Sequence, residues 1–160
     1  MVNGFLANVV YYDVFKAPDE VEQNLDAKRL ELDALLRTSD IVTLHTPLTE
    51  SSRGLINSKS LQSMKRNAIL INTARGAAVV EKDLIDALEK GIIAGAGLDV
   101  FEKEPLAKDS PLWNHPKVKI TPHIASLTYP KESTRQVLKC FSQLEKGLPL
   151  KNQVSRKKMY

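Results

Sequence analysis

The chain has 160 residues, 42% of them hydrophobic and 26% charged, which predicts one soluble globular domain and excludes a disordered or membrane-spanning chain. Its formal net charge is +4, but much of the basic excess lies in the final KNQVSRKKMY. We therefore expect a solvated tail rather than a nucleic-acid-binding surface. The single cysteine, Cys140, cannot form an internal disulfide, and the start shows no secretion signal, so a reducing, cytoplasmic environment is expected.

Short apolar runs alternate with helical patterns along the chain, which is typical of βα units around a parallel sheet. The continuous apolar runs at residues 41–44 and 68–71 predict strands that helices cover on both faces. Six strands are expected, at residues 7–13, 27–30, 40–47, 67–74, 92–100 and 117–123. The sequence therefore predicts an α/β fold with a Rossmann-like, doubly wound parallel sheet.

The predicted helices have recognisable ends. The last one has Thr128 as its candidate N-cap, Pro130 near its start and Gly147 at its end. Its spacing predicts an apolar stripe formed by Val137, Leu138, Phe141 and Leu144. The other helices are expected at residues 31–37, 59–64 and 81–90, the last of these stopping at Gly91.

Polar side chains follow four of the predicted strands. Asp13 ends the first, Arg75 follows residues 67–74, and His123 ends the last. Asp99 and Glu104 come at and after the end of the strand at residues 92–100. Each alone is explained by a turn former, a helix cap or a structural histidine. Because ligands bind beyond the carboxyl ends of parallel strands, the set together points to a functional site.

Three of these residues suit the reduction of a carbonyl group beside a carboxylate. The guanidinium of Arg75 offers a planar, bidentate fork for the carboxylate. The imidazole of His123 is the side chain whose pKa lies nearest neutrality, which suits protonation of the carbonyl oxygen. A carboxylate such as Glu104 would favour the protonated imidazole and fix its orientation. With a cofactor that supplies hydride, these roles predict a reductase.

Four long stretches carry a family resemblance. They are SDIVTLHTPLTESSRGLIN, MKRNAILINTARG, DLIDALEKGIIAGAGLDVFEKEP and HPKVKITPHIAS, and they cover roughly residues 39–126. In order and spacing they resemble the D-isomer-specific 2-hydroxyacid dehydrogenase family. The segments SPLWNHPKVKITPH, QLEKG and QVSRKKMY are similar to the family's glyoxylate/hydroxypyruvate reductase A branch.

The resemblance implies a substrate, a cofactor and site residues. The substrate would be a small 2-oxoacid, reduced to the D-2-hydroxyacid, and the full-length parent would be a homodimer, with no metal, membrane or nucleic-acid partner. The catalytic residues would be Arg75, Glu104 and His123. The cofactor contacts would come from Asp13, Thr46, Pro47, Thr73, Ala74, Arg75, Asp99 and His123.

The identity of the cofactor turns on Asp13. A carboxylate there would accept hydrogen bonds from the ribose hydroxyls and repel the extra phosphate of NADP, so NAD is favoured. The reductase A branch tends instead to carry basic residues there and to use NADPH. Lys16 lies close to the same position, so NADP is kept as the alternative.

The amino end departs from the family pattern. No GxGxxG occurs in the chain, although the family places that turn and its strand just before the strand that ends at Asp13. We expect residues 1–147 to form a partial dinucleotide-binding domain and residues 148–160 a tail, with the substrate domain absent. The missing strand would lie centrally in a 3-2-1-4-5-6 sheet. Either strand edges are then exposed, or the strand at residues 7–13 shifts into the vacancy.

These expectations leave the function of the fragment open. The first reading is a truncated reductase with little or no turnover of its own. A second is an inactive remnant or an NAD-responsive protein-binding module, since the family includes corepressors. A third is a split enzyme in which another chain supplies the missing part.

Overall fold

The computed structural model describes residues 7–126, 128–150 and 153–154, and within them six strands alternate with five α-helices. Two short 3-10 segments, Gly76–Ala78 and Pro111–Asn114, interrupt the loops after the fourth and fifth strands. The strands are β1 (Val9–Tyr11), β2 (Ala27–Arg29), β3 (Ile41–Leu44), β4 (Ile69–Asn72), β5 (Gly95–Leu98) and β6 (Val118–Ile120). The helices are α1 (Asp19–Leu25), α2 (Leu32–Thr38), α3 (Ser58–Ser63), α4 (Glu81–Glu89) and α5 (Pro130–Glu145).

All strand pairs are parallel, which confirms the predicted α/β class, but they form two sheets. β1 pairs with β2, and β3, β4, β5 and β6 form the second sheet in that order. Within the described residues β1 and β3 each have one paired edge and one unpaired edge. Of the two alternatives that the sequence leaves, exposed edges are therefore observed, and β1 has not moved to pair with β3. The break falls where a 3-2-1-4-5-6 sheet has its first strand.

The larger sheet is covered on one face. Along the register Val42, Leu70, Ala96 and Val118 are neighbours, and all four are buried against α2, α3 and α4. On the opposite face Ile41 is 61% exposed and Ile69 is 41% exposed. The expectation that helices cover these strands on both faces is therefore wrong. Apolar side chains on both faces could be buried, but the described helices pack against only one face.

The helices differ from the prediction in three places. α1, which crosses from β1 to β2, was not expected; Pro18 precedes it and its first turn is acidic. α5 has Tyr129 rather than Thr128 at its N-cap, because Pro130 already occupies the first helical turn. None of the residues of α5 is buried, so its predicted apolar stripe faces solvent.

Two positive-φ glycines end helices as predicted. Gly91 (φ +65°) follows α4, and Gly147 (φ +64°) follows α5. The basic residues expected in a solvated tail, Lys151, Arg156, Lys157 and Lys158, lie outside the described residues. Among the helices of the described part, none is both long enough and apolar enough to cross a lipid bilayer.

Candidate active site

The polar residues that follow the strands lie at one end of the sheets because the strands are parallel. In the four-stranded sheet Arg75 follows β4, Asp99 follows β5 and His123 follows β6. Asp13 occupies the corresponding end of the two-stranded sheet, after β1. The further predicted cofactor contacts lie at the same rim, Thr46 and Pro47 after β3 and Thr73 and Ala74 after β4.

Glu104 and His123 form a hydrogen-bonded pair at this rim. The His123 Nδ1 atom lies 2.7 Å from Glu104 Oε2, and the other carboxylate oxygen accepts the Phe101 N–H at 3.0 Å. The hydrogen bond from His123, followed by that from Phe101, lowers the pKa of the Glu104 carboxyl below its ordinary value. The carboxylate is thus charged at neutral pH and turns the imidazole so that Nε2 is left for a ligand.

Asp99 holds the segment that carries His123. Its side chain is 3% exposed, and burial by itself would raise its pKa. Hydrogen bonds from the Thr121 hydroxyl and from the N–H groups of Ile124 and Ala125 outweigh that effect and lower the pKa. The Asp99 carbonyl also accepts the His123 N–H at 2.9 Å. His123 has a φ of 54°, an unusual left-handed backbone for a histidine that these contacts hold in place.

Arg75 lies on the turn after β4, and a buried asparagine shapes that turn. Asn72, 1% exposed, accepts the Ala74 N–H at 3.1 Å and donates its amide to the Arg75 carbonyl at 3.0 Å. The Arg75 side chain is exposed, and its Nη1 donates to the Ala74 carbonyl at 2.7 Å. No ion pair joins Arg75 to Glu104 among residues that the structure describes. Its guanidinium is therefore available at the rim for an anionic ligand.

Gly76 connects the Arg75 turn to the loop that carries Glu104. It is buried, and its Cα packs on the backbone of Phe101 and Glu102 with no room for a Cβ atom. Phe101 in turn donates its N–H to Glu104. Contacts therefore run from the Arg75 turn through Gly76 and Phe101 to the Glu104–His123 pair.

Several rim residues fit a dinucleotide. The Thr46 hydroxyl oxygen is buried and has no hydrogen-bond partner within the described part of the chain. The exposed Asp13 carboxylate accepts the Phe15 N–H at 3.0 Å through Oδ1, which leaves Oδ2 for ribose hydroxyls. Arg29 donates to the Asp13 carbonyl at 3.0 Å. Lys16 is held by Asp19 at 2.6 Å and by Glu22 at 3.4 Å.

The parallel strands and the polar residues at their carboxyl ends define a dinucleotide-binding domain of the Rossmann type. Residues 1–125 match the family model described as "D-isomer specific 2-hydroxyacid dehydrogenase, NAD binding domain". The chain therefore belongs to the D-isomer-specific 2-hydroxyacid dehydrogenase family, and it carries that family's NAD-binding domain.

Curated and solved relatives agree with this membership. Over 134 residues, 84% of this chain, it is 45% identical to glyoxylate/hydroxypyruvate reductase A of Escherichia fergusonii. A 2-hydroxyacid dehydrogenase of Xanthobacter autotrophicus, in complex with NADPH and MES, superposes on 96% of the chain with a TM-score of 0.87 and 38% identity. An NADPH-dependent glyoxylate/hydroxypyruvate reductase of Sinorhizobium meliloti, in complex with NADP and sulfate, superposes on 99% with a TM-score of 0.91 and 30% identity.

The relatives are longer than this chain. The match covers 43% of the E. fergusonii reductase, 63% of the X. autotrophicus chain and 51% of the S. meliloti chain. The chain thus spans about half the length of the relatives to which it is similar.

Three residues that shape the site are not predicted by the sequence: Asn72, Gly76 and Thr121. Asn72 ends an otherwise apolar strand and Thr121 follows β6, and each acts only through groups to which it hydrogen-bonds, which the sequence does not show. Gly76 stands directly after Arg75 at a strand end, and the sequence does not show the backbone of Phe101 and Glu102 that packs against it.

Proposed function

We propose that this chain is the cofactor-binding half of a reductase that converts a small 2-oxoacid, such as glyoxylate or hydroxypyruvate, to the D-2-hydroxyacid. One observation carries the proposal: the His123 Nδ1 atom lies 2.7 Å from Glu104 Oε2 at the carboxyl rim of a parallel sheet. The similarity to glyoxylate/hydroxypyruvate reductase A supports the substrate class. The 160 residues by themselves are expected to give little or no turnover, since they span 43% of that enzyme.

Each of the three rim residues has a separate role in this reaction. Arg75 binds the substrate carboxylate with its guanidinium and so orients the neighbouring carbonyl. His123 holds a proton on Nε2 and delivers it to the carbonyl oxygen as negative charge develops there. Glu104 keeps the imidazole oriented through the contact at Nδ1. The nicotinamide cofactor, when bound, supplies the hydride.

We propose Asp13, Thr46, Pro47, Thr73, Ala74, Arg75, Asp99 and His123 as the residues around the cofactor. The group best placed for direct contact is the exposed Asp13 carboxylate, whereas the Thr46 hydroxyl is buried and would have to turn outward to meet the cofactor. Asp99 contributes by positioning, since both its carboxylate oxygens already accept hydrogen bonds from the segment around His123. An acid at Asp13 favours NAD, although two similar structures were solved with NADPH or NADP.

Two measurements on purified protein test the proposal. The 160-residue chain is assayed with NADH or NADPH and glyoxylate; robust turnover would refute the expectation that it is inactive alone. A chimera in which this chain replaces the corresponding part of the E. fergusonii reductase is assayed in the same way. Reduction of glyoxylate or hydroxypyruvate by the chimera is expected. A folded chimera that binds NADH but reduces neither acid would refute the proposed activity.

A fluorescence titration of the 160-residue chain with NADH distinguishes a cofactor-binding part of a reductase from an inert remnant. Measurable quenching or enhancement is expected, because the Asp13 and Thr46 contacts lie within the chain. A complete lack of binding, by a chain that is folded in the same buffer, would favour an inert remnant.

A further inference from the structure

Glu81, the first residue of α4, reaches from that helix to the loop that carries Glu104. Its Oε1 atom accepts the Glu102 N–H at 2.6 Å. A carboxylate acceptor makes this a charge-assisted hydrogen bond, which is stronger than a bond between two neutral groups. The two residues lie 21 positions apart in the sequence, so the bond joins two separate elements of the rim.

The loop beyond Phe101 depends on hydrogen bonds for its shape. Phe101 is 8% exposed, whereas residues 102–105 are all exposed to solvent. Burial therefore fixes the start of the loop but not Glu104, which lies three residues further on. Within the described part of the chain, three hydrogen bonds hold this stretch: Glu102 to Glu81, Phe101 to Glu104, and His123 to Glu104.

Gly76 and Glu81 hold the Phe101–Glu102 peptide group from two directions. A Cβ atom on Gly76 would lie 1.8 Å from the Phe101 carbonyl carbon and 2.4 Å from the Glu102 nitrogen, so the Gly76 backbone lies against this peptide group. The Glu81 carboxylate accepts the N–H of the same group. Because the peptide group is planar, packing on one side and a bond at its nitrogen together fix the direction in which the chain continues to Glu104.

Helix α4 gives Glu81 a rigid base. Leu84, Ala87 and Leu88 on this helix are 0%, 3% and 0% exposed. The Val80 N–H, directly before the helix, donates to the Ile56 carbonyl at 2.8 Å. The start of α4 is therefore fixed against the core, and the hydrogen bond from Glu102 ties the exposed loop to that fixed point.

We propose that Glu81 is a positioning residue for the Glu104–His123 pair, because its bond to the Glu102 N–H holds the loop where Glu104 meets the imidazole. The role rests on the proposed function, in which His123 delivers the proton and Glu104 orients it. In the described residues Glu81 bonds neither of the two directly, so it acts through the loop. Without this bond the exposed Glu102 N–H would be solvated by water, and we expect the loop to loosen while the fold is kept.

Two variants separate the reach of the Glu81 side chain from its charge. Glu81→Gln keeps the length of the side chain and an acceptor oxygen but removes the charge. Glu81→Asp keeps an acid at the start of α4, where it is favourable, but shortens the side chain by one methylene group. The proposal predicts impairment in Glu81→Asp and behaviour close to wild type in Glu81→Gln. Glu89→Asp makes the same shortening at the last residue of α4 and is the control.

Hydrogen exchange on the full 160-residue chain reports whether Glu104 stays in place, because the Phe101 N–H is bonded to Glu104 Oε1. The Phe101 amide is expected to exchange about tenfold faster in Glu81→Asp and at an unchanged rate in Glu81→Gln and Glu89→Asp. The Leu88 amide, on the buried side of α4, is the internal reference. Equal Phe101 exchange in all four proteins would overturn the proposal. A parallel rise at Leu88 would also overturn it, because Glu81 would then support stability alone.

Steady-state kinetics of the chimera with glyoxylate give a second measurement. Glu81→Asp is expected to lower kcat about tenfold, because small displacements of catalytic groups are costly. The KM for glyoxylate, which depends on Arg75, should stay within about twofold. An unchanged kcat, or an equal loss in Glu81→Gln, would overturn the proposal. The exchange measurement needs no turnover, so a wild-type chimera without activity would refute the proposed function alone.

Discussion

Gly76 and Phe101 approach so closely that a Cβ atom on Gly76 would lie 1.8 Å from the Phe101 carbonyl carbon and 1.9 Å from its oxygen. The two residues belong to the turn after β4 and the loop after β5. Through this contact the turn that carries Arg75 is seated against the loop that carries Glu104. The spacing of the candidate catalytic residues therefore depends on a residue that bears no functional group.

The first prediction concerns this contact. Gly76→Ala is expected to destabilise the chain by about 1–3 kcal/mol, the usual cost of overpacking, because the atoms that the new methyl group meets are backbone and cannot rotate away. Urea unfolding followed by circular dichroism measures the change. Gly97→Ala is the matched control, since the nearest atom to its added Cβ would be Ile71 Cγ1 at 3.9 Å. Equal losses in the two variants would contradict the packing argument.

The second prediction concerns the pH dependence of stability. The folded-state pKa of Glu104 is lowered from its ordinary 4.5 by the hydrogen bond from His123. A depressed pKa stabilises the fold above pH 4.5, and that stabilisation is lost as the pH falls through the lowered value, because the unfolded state then binds more protons. Glu104→Gln should therefore show a flatter loss of stability below pH 4.5, measured by urea unfolding at a series of pH values. The difference is expected to be modest because the pair is partly exposed. Superimposable pH curves for the two proteins would count against the hydrogen bond between Glu104 and His123.

The third prediction concerns catalysis in the chimera. His123→Gln is expected to lower kcat by about 10²–10⁴-fold, the contribution typical of a general acid. Glu104→Gln should lower kcat less, because the imidazole remains but is less well oriented. His115→Gln is the control, since His115 precedes β6 and so lies at the opposite end of the sheet. Steady-state kinetics with glyoxylate measures these changes in kcat. If His123→Gln retains more than about a tenth of kcat, His123 is not the general acid.

The fourth prediction concerns the choice of cofactor. Asp13→Asn in the chimera should raise kcat/KM with NADPH relative to NADH by about tenfold, which corresponds to 1.4 kcal/mol of relieved repulsion between a carboxylate and the 2′-phosphate. Asp40→Asn makes the same chemical change directly before β3, at the end of the sheet opposite the rim, and should leave the ratio unchanged. If NADPH is already preferred and Asp13→Asn does not alter the ratio, Asp13 does not select the cofactor. Arg29, which bonds the Asp13 carbonyl, would then be the next residue to test.

The class of fold and the end of the sheet that carries the polar residues could be read from the sequence. Strands such as β3 and β4 are short, apolar and rich in β-branched residues, so their existence depends on local composition. Parallel strands then place Arg75, Asp99 and His123 at one rim without any knowledge of their contacts. The family followed from long, ordered motifs.

Other features were decided only by the tertiary structure. The capping of α5 at Tyr129, the one-sided burial of the larger sheet and the break between β1 and β3 depend on which elements are present to pack or pair. The bonds that Asn72 and Asp99 make join groups that local sequence cannot bring together. Local patterns record which residues are able to be buried or to bond, whereas packing between distant segments determines which of them are.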